Sequence, residues 1–411
     1  MNTADSYRLN AVYAQGLASK IEVARRRASR FFEALRVSNG YKYTITHDLE
    51  QFPDALLYGT WSAILGTVLA QGSRAFDCGT KQWALGVLTS YRRKDGTFLP
   101  NSLRDTANSK PIEYLVLHCT NYSIGAALEL DSSFDFKSRY MDRFLDADTL
   151  LAWLDGRSFS RPWEEGNNIV NVASYLALLH AHGEKRAFDR LYQLLEWHKR
   201  FQNPLTGGFD CFRSPGFQRR MESLAGAVHN FHLHHYLDTP FGSEAAIADS
   251  LAPYLLMGPL TACLSLDFVE LAIRMLSYST NPQLLAWALL EHAEALLAYQ
   301  MPDGGWLEAD DGQTPTRAAG FVDSAASSCS YATWFRLTSL AMISIVLLGD
   351  QPGRWGFRRS LGMGYAPARW PKVPESITIA RLPWNQAVRE RFRGLGFKFK
   401  KKAISVAARF I

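Results

Sequence analysis

Cysteine is scarce in this chain of 411 residues: there are five (78, 119, 211, 263 and 329), and none forms a CxxC pair. An odd, widely spaced set excludes a dense disulfide scaffold or a zinc ribbon and fits a reducing compartment. No uninterrupted apolar run reaches the roughly 20 residues that cross a bilayer. The opening MNTADSYRLN lacks the basic and apolar regions of a secretory signal, so a cytoplasmic location is expected. Strand-rich alternation is missing too. With 47% hydrophobic and 20% charged residues, the composition is that of a packed globular protein and not of a disordered chain.

What is present is unevenly distributed. Residues 354–411 carry 14 Lys/Arg against two Glu, whereas the preceding 353 residues hold 31 basic and 37 acidic side chains. A mildly acidic body over 1–350 is therefore expected to carry a basic extension over 351–411. Its end, RERFRGLGFKFKKKAISVAARFI, interleaves cations with Phe, Leu and Ile. Such a segment either packs on the acidic body or lays its apolar side chains into an anionic headgroup layer, each cation contributing about 1 kcal/mol there. An anionic membrane surface met through 388–411, peripheral at the inner membrane, is thus an expected partner. Nucleic acid is not, because no binding module accompanies the charge.

Internal repetition points to the architecture. Glycine beside an aromatic recurs after amphipathic runs, as DGTF (95–98), DGRSF (155–159), GGFD (207–210) and DGGW (303–306), with Gly258-Pro259 where a further copy falls. The markers are spaced about 52 residues apart, the length of two helices and two loops. Each follows a charged, amphipathic helix and precedes a low-charge, small-residue-rich one. Six of the latter are predicted, at about 53–71, 113–130, 166–182, 221–237, 261–277 and 325–348. Helices apolar all round must be buried on all sides, so an all-α fold is expected: an (α/α)6 toroid of about six helical hairpins. The helix at about 16–36 would close the ring from outside, and Gly96, Gly156, Gly208 and Gly305 would end the outer helices in left-handed turns.

The segment YQMPDGGW resembles the Gln…Asp-Gly-Gly-Trp repeat of squalene cyclases and protein prenyltransferase β-subunits, and FQNPLTGGF is a weaker copy. The runs WEEGNN, GAVHNFHLHHY and ACLSLDFVEL are similar to uncharacterised bacterial six-hairpin proteins found among polysaccharide-assembly genes. Both resemblances imply the α/α toroid, a superfamily that also houses glycoside hydrolases, polysaccharide lyases and sugar epimerases.

In a toroid, the loops and N-termini of the inner helices line one mouth of the cavity, so polar residues there are the site candidates. Trp163, Glu164, Glu165, Asn167, Asn168 and Asn171 gather at the third inner helix, offering an indole face, acids and carboxamides; Asn167 also suits an N-cap. On the fourth, His229, His232 and Tyr236 share a face by i, i+3 and i+7 spacing and offer a general base and a proton donor. On the fifth, Asp267 and Glu270 lie one turn apart, with Arg274 four residues after Glu270 as an ion-pair partner. A buried carboxyl there must be paired or have a raised pKa, which makes an acid catalyst. His118, Asn121 and Tyr122 on the second helix, Asp54 and Tyr58 at the first and Asp323 before the sixth complete the substrate-binding set. Glu164, Asp267 and His229 are the expected catalytic groups, and Trp163, Glu164, Asn168, His229 and Asp267 are expected to converge on one mouth. No metal or other cofactor is expected, since HxxH alone is a weak zinc signal.

Three functions remain open on this inventory. The first is a carbohydrate-active enzyme of hydrolase, lyase or epimerase type, acting on a glycan or glycolipid in polysaccharide assembly. The second is an isoprenoid enzyme. Against it, Asp146-Ala-Asp148-Thr149, the literal match to the acid motif of terpene cyclases, opens an outer helix, and the inner-helix start that carries the family's acid reads GNN here. The third is a toroid that binds glycan or lipid without turnover.

Overall fold

The computed structural model describes residues 3–72, 75–106, 110–209, 217–257, 261–309, 315–318, 321–367, 369–374 and 377–379. The basic segment 388–411, the Gly258-Pro259 marker and Cys211 lie outside these residues. The chain is predominantly helical. Its helices are α1 (Thr3–Ala34), α2 (Ala55–Gln71), α3 (Cys78–Ser90), α4 (Lys110–Leu130), α5 (Arg139–Asp142), α6 (Ala147–Asp155), α7 (Pro162–Ala181), α8 (Lys185–Lys199), α9 (Phe217–Tyr236), α10 (Glu244–Leu256), α11 (Ala262–Met275), α12 (Pro282–Ala298) and α13 (Ser330–Leu348). Strand structure is confined to two small hairpins, β1 (Arg36–Val37) with β2 (Gly40–Tyr41) and β3 (Thr316–Ala318) with β4 (Phe321–Asp323).

Two kinds of helix alternate. The low-charge set α2, α4, α7, α9, α11 and α13 packs in sequence order: α2 on α4, α4 on α7, α7 on α9, α9 on α11, α11 on α13, and α13 back on α2. Other helices flank them: α1 touches α13 and α2, α3 touches α2 and α4, α8 touches α7 and α9, and α12 touches α13. Close packing needs small residues where backbones meet. A side chain at Gly226 of α9 would put Cβ 2.6 Å from the Pro162 carbonyl oxygen of α7, and one at Gly66 of α2 would strike the Phe32 ring of α1. Among the described residues, α13 alone is long and apolar enough to cross a bilayer, but it is buried against α1, α2, α11 and α12. Arg336 in its middle gives its N–H groups to the carbonyls of Leu307 and Glu308.

The glycine–aromatic markers act differently from expectation. Only Gly156 caps a helix, α6, and its φ of −80° is right-handed. Helices α3, α8 and α12 end earlier, at Ser90, Lys199 and Ala298, and the left-handed glycines are Gly96, Gly207 and Gly304 in the turns that follow. The physical reason is crowding: a Cβ at Gly96 or Gly304 would lie 2.5 Å from the Lys137 carbonyl oxygen or 2.4 Å from that of Arg27. Each turn drives its aromatic into the core, so Phe98, Phe209 and Trp306 are fully buried. The turn is also pinned to the next low-charge helix by a threonine hydroxyl that accepts a backbone N–H. Phe98 donates to Thr120, Trp306 to Thr333 and, in the first copy, Tyr41 to Thr60.

Candidate functional site

Helix α7 starts earlier than its polar cluster predicts. Pro162 occupies the first turn, where its missing N–H costs nothing, so Trp163 to Asn171 all lie on the helix and Asn167 is not an N-cap. Asn167 and Asn171 instead join a ladder towards α4. Asn167 Nδ2 donates to the Tyr114 hydroxyl (3.2 Å), Asn171 Nδ2 to Asn167 Oδ1 (3.2 Å) and Asn121 Nδ2 to Asn171 Oδ1 (2.6 Å). At its far end Arg358 Nη2 donates to Asn121 Oδ1 (2.9 Å). Three expected ligand-binding carboxamides are thus engaged with one another.

Arg358 comes from the stretch expected to open the basic extension. That stretch packs inward: Trp355, Phe357, Leu361 and Met363 are buried, Ser174 of α7 donates to the Leu361 carbonyl, and Gly356 lies against the backbone of Val68 in α2. The Arg358 guanidinium lies over the Tyr122 ring, 4.6 Å from its centroid, and donates to Ser360 as well as Asn121. Burial lowers its pKa to about 10, so it remains charged.

An aromatic cluster centred on Trp61 joins α2, α4 and α13. Trp61 stacks on Tyr122 with centroids 4.7 Å apart and meets Tyr58, His118, Tyr331 and Trp334 at 5.5–6.1 Å. Tyr114 stacks on His118 at 5.4 Å. The Tyr331 hydroxyl donates to Cys263 Sγ of α11 at 3.4 Å, which links the cluster to the helix of Asp267. Tyr58, Tyr114, Trp163, Cys263 and Tyr331 are each only partly covered by their neighbours. Trp61, Tyr114, Tyr331, Trp334 and Arg358 were not among the sequence candidates. The i, i+4, i+8 spacing of Tyr114, His118 and Tyr122 was the available signal for the first wall.

Asp267 is fully buried, and neither carboxyl oxygen has a hydrogen-bond partner. Burial pushes its pKa well above the carboxylate range, and the charge of Glu270 pushes it further; the nearby Trp163 indole opposes this, though outside hydrogen-bond geometry. Glu270, one turn on, has the opposite fate. Its burial is outweighed by His232 at 3.5 Å and Arg274 at 2.7 Å, which bring its pKa down to about 2. Two neighbouring carboxyls are therefore held in different protonation states.

His229 is buried, and burial lowers its pKa to about 3, helped by His232. Its Nδ1 lies 2.9 Å from the Ala225 carbonyl, which can only accept. The proton is thereby fixed on Nδ1, and Nε2, which has no partner, is left as a lone-pair acceptor. His118 is buried, its pKa is likewise near 3, and its Nδ1 is also unpartnered. Histidines this neutral serve at pH 7 as hydrogen-bond partners, not as cations.

The remaining candidates are placed elsewhere. Glu164 is exposed and paired with Arg161 at 3.1 Å, and its charge reaches the Tyr114 phenol. Glu165 lies 3.8 Å from Arg157, and Asn168 is buried beside it. The Tyr236 hydroxyl donates to the Ala177 carbonyl and lies 3.0 Å from His180 at the other end of α7. Asp323 accepts the hydroxyls of Thr44 and Thr46, and Asp54 precedes α2 without capping it. Asp146 caps α6 through the Thr149 N–H (2.8 Å) and is exposed, like Asp148, so neither takes part in the site. Among the described residues no group of His, Cys, Asp or Glu is arranged to hold a metal.

Compared with protein-family models, with curated proteins and with solved structures, the chain gives no match.

Proposed function

We propose that the six low-charge helices form the inner ring of an (α/α)6 toroid and that the chain is a carbohydrate-active enzyme whose acid is Asp267. The closed order of helix contacts supports the first part. The second rests on one observation: a buried, unpartnered, protonated carboxyl beside an ionised one. Carboxyls pushed apart in this way are the mark of an acid and a charge stabiliser working together. On this reading Asp267 protonates the departing glycosidic oxygen as the sugar–oxygen bond breaks, and ionised Glu270 stabilises the positive charge that develops. The water that then adds returns a proton to Asp267, with His229 Nε2 accepting a hydrogen bond from it. Trp163, Tyr58 and Tyr331 offer ring faces and Tyr114 a hydroxyl. Arg358, the cation over Tyr122, is already engaged with Asn121, which favours an uncharged sugar of a glycan or glycolipid over a polyanion.

The test is to incubate the intact protein with neutral oligosaccharides and glycolipids and follow products by mass spectrometry. The parent is expected to convert one class, Asp267→Asn to lose at least about 100-fold, and Glu164→Gln to retain activity. Absence of conversion, or an Asp267→Asn variant as active as the parent, overturns the reading. One observation favours a second reading: the carboxamide ladder leaves an aromatic wall with a single protonated acid, which also suits alkene protonation. Polyprenols and prenyl diphosphates in the same assay decide between the two.

A further inference from the structure

Residues 355–366, which follow α13, cross the low-charge helices instead of leaving them. The Gly356 N–H donates to the Leu69 carbonyl of α2 at 3.2 Å, and Arg358 Nη2 donates to Asn121 Oδ1 of α4 at 2.9 Å. The Leu361 carbonyl accepts from Ser174 of α7 at 2.7 Å, and the Tyr365 carbonyl accepts from Arg274 of α11 at 3.4 Å. A Cβ at Gly364 would lie 3.3 Å from the Trp334 ring of α13. One short segment thus meets five of the six helices whose contacts close in sequence order. It folds back on itself to do so: the Arg358 N–H donates to the Gly364 carbonyl at 2.9 Å, and the Ala366 N–H to the Arg358 carbonyl at 3.1 Å. From Phe357 to Gly364 every residue except Arg359 is buried. Helix α4 leaves space for it, since a Cβ at Gly125 would lie 2.9 Å from the Arg358 guanidinium.

These contacts lie at one level along the helices. The partly covered Tyr114, Trp163 and Tyr331 stand near the starts of α4, α7 and α13. The segment approaches the same helices at Asn121, Val170 and Thr338, two turns further on, or about 10 Å at 1.5 Å per residue. Tyr331 bonds Cys263 near the start of α11, so the helix starts share one end and the segment closes the chain's path towards the other. Asp267 lies between the two levels, one turn beyond Cys263 and two turns short of Arg274. An internal bond of a polymer reaches an acid only if the chain can run past it in both directions. Beyond Asp267 that path is stopped by 355–366. Asp267 is also packed among helices and not set on a surface groove, so a chain lying across the outside does not reach it. A chain end, or a single sugar on a lipid, meets neither obstacle.

We propose that residues 355–366 are the floor of a blind site and that the enzyme acts on ends: it removes the terminal unit of a neutral glycan, or the sugar of a glycolipid, and leaves internal bonds intact. The inference rests on the glycan reading of Asp267 and adds to it which bond of the substrate is reached. The experiment gives the full chain a set of neutral oligosaccharides, each in a linear form labelled at one end and in a cyclised form without ends. Products are followed over time by mass spectrometry. The expected result is stepwise loss of terminal units from a linear form, with its cyclised form converted at least about 100-fold more slowly. Fragments from the middle of the chain among the first products, or opening of a cyclised form at a comparable rate, overturns the blind floor and leaves the glycan reading intact. Conversion of no glycan in either form overturns the glycan reading, and this inference with it.

Discussion

Replacing Asp267 by Asn changes little in shape but removes a titrating proton, and the sign of the effect follows from the structure. The folded pKa of Asp267 is raised, while the unfolded chain ionises near the ordinary 3.8. Between those two values the unfolded state binds fewer protons than the native state, so this group lowers stability as pH rises, by about 1.4 kcal/mol per pH unit. Asparagine carries no such slope. While the pH stays below the folded pKa, the variant is therefore expected to gain on the parent by about 1.4 kcal/mol per pH unit above pH 5. The divergence fades out about one unit below 3.8, where both states of the parent are protonated. The amide's own hydrogen bonding adds an offset that does not vary with pH, so the slope is the diagnostic quantity. Urea unfolding of both proteins at half-unit pH intervals measures it. Parallel stability curves from pH 4 to pH 6 would refute the claim that burial keeps this carboxyl protonated.

Other perturbations test neighbouring parts of the account. Glu270→Gln strands Arg274 in the interior and is expected to cost about 3–5 kcal/mol at pH 7. Because the pKa of Glu270 is depressed to about 2 from 4.5, its stabilisation is present above pH 4.5 and lost as pH falls through 2, so the two acid-denaturation curves should converge there. Gly226→Ala places a methyl against the Pro162 carbonyl oxygen and should lower stability by about 1–3 kcal/mol, with tryptophan fluorescence reporting the shift of Trp163 that follows. Deletion of 388–411, which removes a dense run of Lys and Arg, should weaken binding to anionic vesicles in a salt-dependent way; equal binding by both forms removes the membrane from the partner list.

The helices were legible in the sequence because burial on all sides leaves a compositional trace. The low-charge, small-residue runs fell within a few residues of α2, α4, α7, α9, α11 and α13. Their starts were less so: Pro162 begins α7 before the polar cluster, a choice governed by capping and not by hydropathy. The glycine markers were found but misassigned, since what they permit is the close approach of another chain segment, as at Gly96 and Lys137, and long-range proximity leaves no local pattern. Asp267 and His229 stood out as polar groups on apolar helices. Glu164, singled out with them, is exposed and held by Arg161, a pairing three residues apart that the sequence does offer. Arg358 was hidden by its composition: it belongs to a basic stretch, and nothing in the spacing shows that this one cation turns inward to end a ladder of carboxamides.

The central claim is that Asp267 is a neutral acid held ready beside an aromatic wall. Infrared difference spectroscopy on protein labelled with carboxyl-13C aspartate, comparing the parent with Asp267→Asn at pH 7, tests it most directly. The account predicts an isotope-shifted carbonyl band of a protonated carboxylic acid in the parent that is missing from the variant. Only ionised aspartate bands in the parent, with no carbonyl band lost on substitution, would contradict it.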